Sequence, residues 1–217
     1  MGKLKTIGLI LAGLAMLAAC GAAAVESTPK NGACQDVQDR DRIVDALGYF
    51  PNRLSPLGAA VLCNDAAGVE RALKGGASPN AREPGGETPL LIAAAIPRTD
   101  LLKRLLASGG DPNSWEKDAR TLALHYALSA GVQRDDWSAW DVLLASHADI
   151  NFRPPGGATI AEDAVSLGAV DKLLQLLDRG YHVDPARLVR ELEAVRYDAN
   201  TEPLRLQAIE RVRALMR

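Results

Sequence analysis

His125 and Ser129 stand four positions apart, the helical spacing at which an imidazole could activate a hydroxyl as a nucleophile. They are the nearest approach to catalytic chemistry in this sequence. No third group is placed to orient the imidazole, and nothing near Ser129 supplies donors for an oxyanion. His147 and His182 lie elsewhere, and no H-E-x-x-H, G-x-S-x-G, C-x-x-C, phosphate-loop or dinucleotide fingerprint occurs. No catalytic residue, metal ligand set or cofactor is therefore expected. The three cysteines, Cys20, Cys34 and Cys63, offer acylation or oxidation in pairs. The formal net charge of -2, from 25 Lys and Arg against 27 Asp and Glu, gives no basic surface for nucleic acid.

The elements that must position these side chains repeat. Thr88-Pro89-Leu90-Leu91-Ile92-Ala93-Ala94 reads as a capped turn opening a small, Ala-rich helix, followed by a second helix through Leu101, Leu102, Leu105 and Leu106. That helix closes at Gly109-Gly110-Asp111-Pro112-Asn113, a glycine C-cap. The same grammar stands 33 positions earlier, from Ser55-Pro56-Leu57-Gly58-Ala59-Ala60 to Gly75-Gly76-Ala77-Ser78-Pro79-Asn80. A third copy runs from Leu122-Ala123-Leu124-His125-Tyr126-Ala127 to His147-Ala148-Asp149-Ile150-Asn151, and a fourth from Thr159 to Gly180-Tyr181-His182-Val183-Asp184. Ser55 and Thr88 can cap the inner helix of their copy, and the prolines fit a first turn whose N–H groups lack partners anyway. Paired alanines (Ala59 and Ala60, Ala93 and Ala94) let neighbouring helices approach closely.

A period near 33 with this opening and close resembles the ankyrin repeat, whose pattern is T-P-L-H-x-A followed by G-A-D-x-N. The resemblance implies an all-α solenoid of about four helix-turn-helix repeats over residues 55–184. Stacked units share one apolar seam, with helical caps at both ends. The third copy departs by losing its Thr and Pro, by about four extra residues near Val132 to Asp135, and by His147 in place of a helix-ending Gly. The fourth carries Ile160-Ala161-Glu162-Asp163 where the opening motif belongs. In the family pattern His125 hydrogen-bonds the turn.

The ends of the chain read differently. Lys3 and Lys5 precede an apolar run from Ile7 to Ala19, too short for a convincing membrane span, so residues 1–19 are expected to be a secretory signal. Leu17-Ala18-Ala19-Cys20 looks like a bacterial lipobox, which implies cleavage before Cys20 and acylation on it; the other reading is an ordinary signal that happens to contain a Cys. Gly21 after the Cys implies the periplasmic face of the outer membrane in preference to the inner. Loss of the two lysines takes the formal charge to about -4. Residues 20–37 read as the lipidated Cys and a tether, of which the stretch to Ala33 spans at most about 45 Å. Residues 38–54, with Ile43, Leu47 and Phe50 on one face, read as an N-terminal capping helix. Residues 185–217 read as a C-terminal cap of two helices, the first through Leu188, Leu192 and Val195, the second through Leu206, Ile209, Val212 and Met216. Arg187, Arg190, Arg205, Arg211 and Arg213 are expected on its solvated faces. Cys34 and Cys63 make an even pair for a disulfide in an oxidising compartment; two unrelated thiols are the alternative.

A solenoid of this family presents a concave face built from finger loops and inner helices, which implies a protein partner in the periplasm and no small-molecule substrate or nucleic acid. The only membrane contact implied is the N-terminal lipid. By the family pattern Leu62, Ala95, Ile96 and Leu167 face the concave side. Trp115 and Phe152 begin successive fingers in a chain with nine aromatic residues, so they are candidate anchors, with Arg82, Glu83, Lys117 and Arg153 as a charged rim. Packing between fingers is the competing role for both aromatics. Resemblance to envelope ankyrin lipoproteins suggests an immunity protein against a secreted effector such as a type VI lipase, or alternatively an envelope adaptor or a structural lipoprotein without one tight partner.

Overall fold

The computed structural model describes residues 54–96, 98–115 and 121–217. The expected signal, Cys20, the tether with Cys34, the N-terminal capping helix except Leu54, and Lys117 lie outside the described residues. Ten helices follow one another among the described residues: α1 Pro56–Leu62, α2 Ala66–Lys74, α3 Pro89–Ala95, α4 Thr99–Ala107, α5 Ala123–Arg134, α6 Ser138–Ala145, α7 Ile160–Ser166, α8 Val170–Asp178, α9 Pro185–Ala194 and α10 Glu202–Ala214. They pair as inner and outer helices of four repeats plus a terminal pair. The inner helices α1, α3, α5, α7 and α9 each pack on the next in the row.

Each inner helix starts because its free N–H groups find a partner, and the partner differs from copy to copy. Ser55 accepts from the Gly58 N–H and Thr88 from the Leu91 N–H, each followed by Pro in the first turn. Thr159 accepts from the Glu162 N–H while the Glu162 carboxylate accepts from the Thr159 N–H, a complete capping box. The fourth opening is therefore a different cap and not a missing one. Leu122 has no capping side chain; Trp115 and Leu122 form an antiparallel bridge, and the Ala123 N–H donates to Ser114 O at 3.1 Å.

Each outer helix ends in one geometry. Gly76, Gly109, His147 and Gly180 adopt left-handed φ of 89°, 86°, 60° and 89°. The next residue's N–H then reaches back into the last turn: Ala77 to Ala72 O, Gly110 to Leu105 O, Ala148 to Leu143 O and Tyr181 to Leu176 O. His147 keeps the geometry at the steric cost of a Cβ.

The seam is built from Leu90, Ala93, Ala94, Leu102, Leu105, Ala123, Ala127, Leu128, Trp140, Leu143, Ala161, Ala164 and Leu173, all fully buried. Trp140 fits because its Nε1–H donates to Gln175 Oε1 at 2.7 Å. In the terminal pair α10 packs on both α8 and α9, burying Ala208, Ile209 and Val212. The structure corrects three expectations here. Arg205 is buried, donating to Leu192 O at 3.0 Å and pairing with Glu202, because its guanidinium closes the C-terminal end of α9. Leu206 and Met216 are more than half exposed. Val195 is extended and terminates α9.

Candidate partner-binding face

The finger edge is held by asparagines. Asn80 Oδ1 accepts from the Asp111 N–H (2.8 Å) while its Nδ2 donates to Gly109 O (2.8 Å). Asn113 Oδ1 accepts from the Asp149 N–H at 2.6 Å, and Asn151 Oδ1 from the His182 N–H at 2.9 Å. The Asn that closes one repeat thus satisfies the turn of the next, and the fingers share one rigid edge.

On that edge the structure brings Arg82 and Trp115 together. The Arg82 guanidinium lies 5.9 Å from the Trp115 ring centroid and donates to Trp115 O (2.9 Å) and Gly86 O (2.6 Å). Trp115 is half-buried, and so is Phe152 one finger on. Arg153 is drawn inward: it pairs with Glu162 at 2.7 Å and approaches Asp184 at 3.6 Å, while Arg187 reaches the same Glu162 at 3.3 Å. Tyr181 completes this network, its hydroxyl donating to Val183 O (2.9 Å) and lying 2.9 Å from Thr159 Oγ1. Burial pushes its phenol up to about 12.

Three expected surface residues are not on the surface. Glu83 is buried because its carboxylate turns back to α1, accepting from the Ser55 N–H (2.7 Å) and hydroxyl (2.6 Å). That position also explains Gly58, where a Cβ would meet Glu83 Oε1 at 2.2 Å. Ile96, at the C-terminal end of α3, is buried in the hydrophobic core; α5, twelve residues against seven in α3, reaches this end, where its Arg134 donates to Ala95 O at 3.2 Å. Leu62, the last residue of α1, belongs to the core. Ala95 is half-buried and Leu167 is 37% exposed, so these two concave positions do reach solvent.

His125 does not meet Ser129, whose hydroxyl accepts from Gln133 Nε2 at 3.5 Å. The imidazole is buried, with Nε2 3.4 Å from Ala158 O in the next finger and 3.6 Å from Asp163 Oδ2. Burial pushes it down to about 4, so at neutral pH it is uncharged and donates from Nε2 to Ala158 O. The role implied by the family pattern is thus seen as a cross-repeat bond. Glu162 and Asp163 went unrecognised as site residues, although Thr159-x-x-Glu162 is the spacing of a capping box and could have pointed to the first. A shallow depression of about 250 Å³, lined by Leu144, His147, Ala148, Asp149, Ile150 and Arg179, lies at the outer-helix closes. Among the described residues no group of three or more His, Cys, Asp or Glu is arranged to hold a metal ion, and no helix is long and apolar enough to cross a membrane.

The ankyrin repeat family model matches residues 85–117, the stretch holding the second copy. The described residues have the fold of an ankyrin-repeat solenoid. It is similar to human Neurogenic locus notch homolog protein 4 (32% identical over 142 residues) and to Ankyrin repeat, SAM and basic leucine zipper domain-containing protein 1 of Colobus guereza (27% over 129). It is also similar to B-cell lymphoma 3 protein homolog of Mus musculus (27% over 134). Each match covers 58 to 60% of this chain but only 7%, 27% and 30% of those proteins, so the likeness is to their repeats.

Proposed function

We propose that this solenoid binds a protein of the bacterial cell envelope through its finger edge and inner-helix row, while an acylated Cys20 holds it at the periplasmic side of the outer membrane. The observation that carries the binding role is the row itself: the asparagine-stapled edge fixes Arg82, Trp115 and Phe152 beside inner helices that leave Ser166 and Leu167 exposed and Ser129 half-buried. A preorganised surface of this kind loses little freedom on binding. The lipobox-like Leu17-Ala18-Ala19-Cys20 and the apolar run before it support the anchor. Protection against an incoming periplasmic effector is the role to test first, because capping such a protein needs surface and no chemistry.

The full-length protein in mild detergent, cross-linked to envelope extract, should retain one dominant partner that Trp115→Ala and Ser166→Trp both lose while keeping the parent's thermal transition. Retention unaffected by either variant would remove the row from the binding role. For the protective role, deletion of the gene should be lethal only in cells that encode or receive the partner. The Cys20→Ser form should leave the membrane fraction or stay unprocessed, and normal processing and location would overturn the anchor.

A further inference from the structure

Asp163 shares a helix face with Ser166 and Leu167, three and four positions on, and both of those are exposed; it therefore looks along the inner-helix row. Its side chain keeps 22% of its surface open. Around it stand His125 on α5, Glu162 on its own helix and Glu191 on α9, from which Arg187 reaches Glu162 and Glu191. The available guanidinium groups are already engaged: Arg153 with Glu162 and Asp184, Arg187 with Glu162 and with Glu191 at 3.0 Å. Among the described residues Asp163 has one ion-pair neighbour, and it is the imidazole of His125. That side chain is 8% exposed, its Nδ1 has no hydrogen-bond partner among the described residues, and its Nε2 lies 3.6 Å from the carboxylate. The N-terminal turn of α7 favours a negative charge by a few tenths of a kcal/mol or more. Burial, together with Glu162 and Glu191, outweighs that and pushes Asp163 up to about 6. A carboxylate held mostly out of water beside like charges and a neutral base lacks, among the described residues, the one thing that would settle it, an opposite charge. Partly desolvated, it would attract such a charge more strongly than a surface carboxylate does.

We infer that the inner-helix face of repeats 3 and 4 receives a lysine or arginine side chain of the protein partner, with Asp163 as its counter-ion, Ser129 and Ser166 as hydrogen-bonding neighbours and Leu167 against its aliphatic stem. The inference rests on the protein-binding reading and narrows it to a partner that presents a basic residue from a protruding segment. An acidic or wholly apolar segment would leave Asp163 buried without compensation, which is the costly outcome for a charge at an interface.

The probe is a phage-displayed random dodecapeptide library panned on the full-length protein in mild detergent at pH 7.5. Enriched peptides are expected to share a Lys or Arg. Its replacement by norleucine or citrulline should weaken binding tenfold or more on the parent and less than twofold on Asp163→Asn. Binding of the basic peptides should also weaken as pH falls from 7.5 to 5, through the range in which Asp163 takes up a proton. Asp163→Asn should fold at least as stably as the parent at pH 7.5, so lost binding cannot be laid to unfolding. Enrichment of peptides without a basic residue, or equal weakening on both proteins, would overturn the counter-ion. Ser166→Trp separates the two levels: peptides blocked by it but indifferent to Asp163→Asn would keep the binding face and discard the inference. Peptides indifferent to both would discard the binding face with it.

Discussion

The first two repeats and the last two reach the same geometry by different chemistry. In repeats 1 and 2 the caps are Ser55-Pro56 and Thr88-Pro89, and the outer helices end on Gly76 and Gly109. Repeats 3 and 4 replace several of these devices with a backbone bridge at Leu122, a capping box at Thr159 and a left-handed His147, and where Ser55 hydrogen-bonds the buried Glu83 of the first half, the second half sets a buried Glu162 beside a half-buried Asp163. Where each local need is met by the smallest suitable residue, little is left over for anything else. Where it is met by large, polar or charged residues, the same need leaves side chains and unbalanced charge on the inner row. The irregular half is therefore where specificity for a partner has room to reside.

The sharpest way to break this comparison is Trp140→Ala, which should cost on the order of 4 kcal/mol by emptying the largest buried side chain. Urea denaturation should then show repeats 3 and 4 melting ahead of repeats 1 and 2; a single unchanged transition would mean that the two halves are not energetically distinct. Cys63 is disulfide-bonded, and we propose Cys34 as its partner. Cys34→Ser should lower stability by about 3 kcal/mol on the chain-entropy argument and abolish the cross-linked peptide in non-reduced mass spectra. A surviving cross-link would assign the bond to Cys20.

Next comes Asp163→Asn, expected to raise stability at pH 7.5 by an amount on the order of 2 kcal/mol, since the folded chain holds this carboxyl near 6 against an ordinary 3.8. The sign of its pH dependence is opposite to that of its neighbour. Asp163 takes its proton first in the folded state, so its cost to the fold is present above pH 6 and disappears as pH falls toward 3.8. His125, pushed down to about 4, takes its proton first in the unfolded state, so its contribution is full above 6.5 and is lost as pH falls toward 4. Between pH 6.5 and 4, His125→Gln should therefore gain stability relative to the parent, and Asp163→Asn should lose part of its advantage. Parallel denaturation curves for both variants would contradict the opposed assignments. The smallest effect is His147→Gly, worth about 1 kcal/mol of stabilisation by releasing a left-handed Cβ, while Gly109→Ala should cost about as much. Thermal midpoints moving in the same direction would show that the close in repeat 3 is not the strained one.

How far the sequence could be read follows this same division. The Ser55 and Thr88 caps are legible because each depends on residues a few positions apart, and the period with its closing asparagines because the same motif returns about 33 positions on. Glu83 and Ile96 are buried against expectation because their surroundings come from other elements: Ser55 lies 28 positions from Glu83, and the Arg134 that meets the end of α3 beside Ile96 belongs to the next repeat. Arg205 was assigned to a solvated face because helical spacing is silent about a carbonyl 13 positions away. Glu162 is a different case: Ile160-Ala161-Glu162-Asp163 departs from the usual repeat opening, yet Thr159-x-x-Glu162 has the spacing of a capping box.

The asparagine staples have a consequence for where the chain can be lengthened. The bond from each closing Asn to the next turn spans 31 positions at Asn80 and Asn151 but 36 at Asn113, and it forms all the same. The added residues have gone into the far end of α5, where the helix projects past its neighbours and turns at the left-handed Asp135, away from the finger edge that the staples gauge. That end is a natural splice point. A foreign loop or reporter grafted between Gln133 and Asp136 would ride on the solenoid without resetting its register, whereas the same graft between Asn113 and the start of α5 would have to be absorbed at the edge that the fingers share.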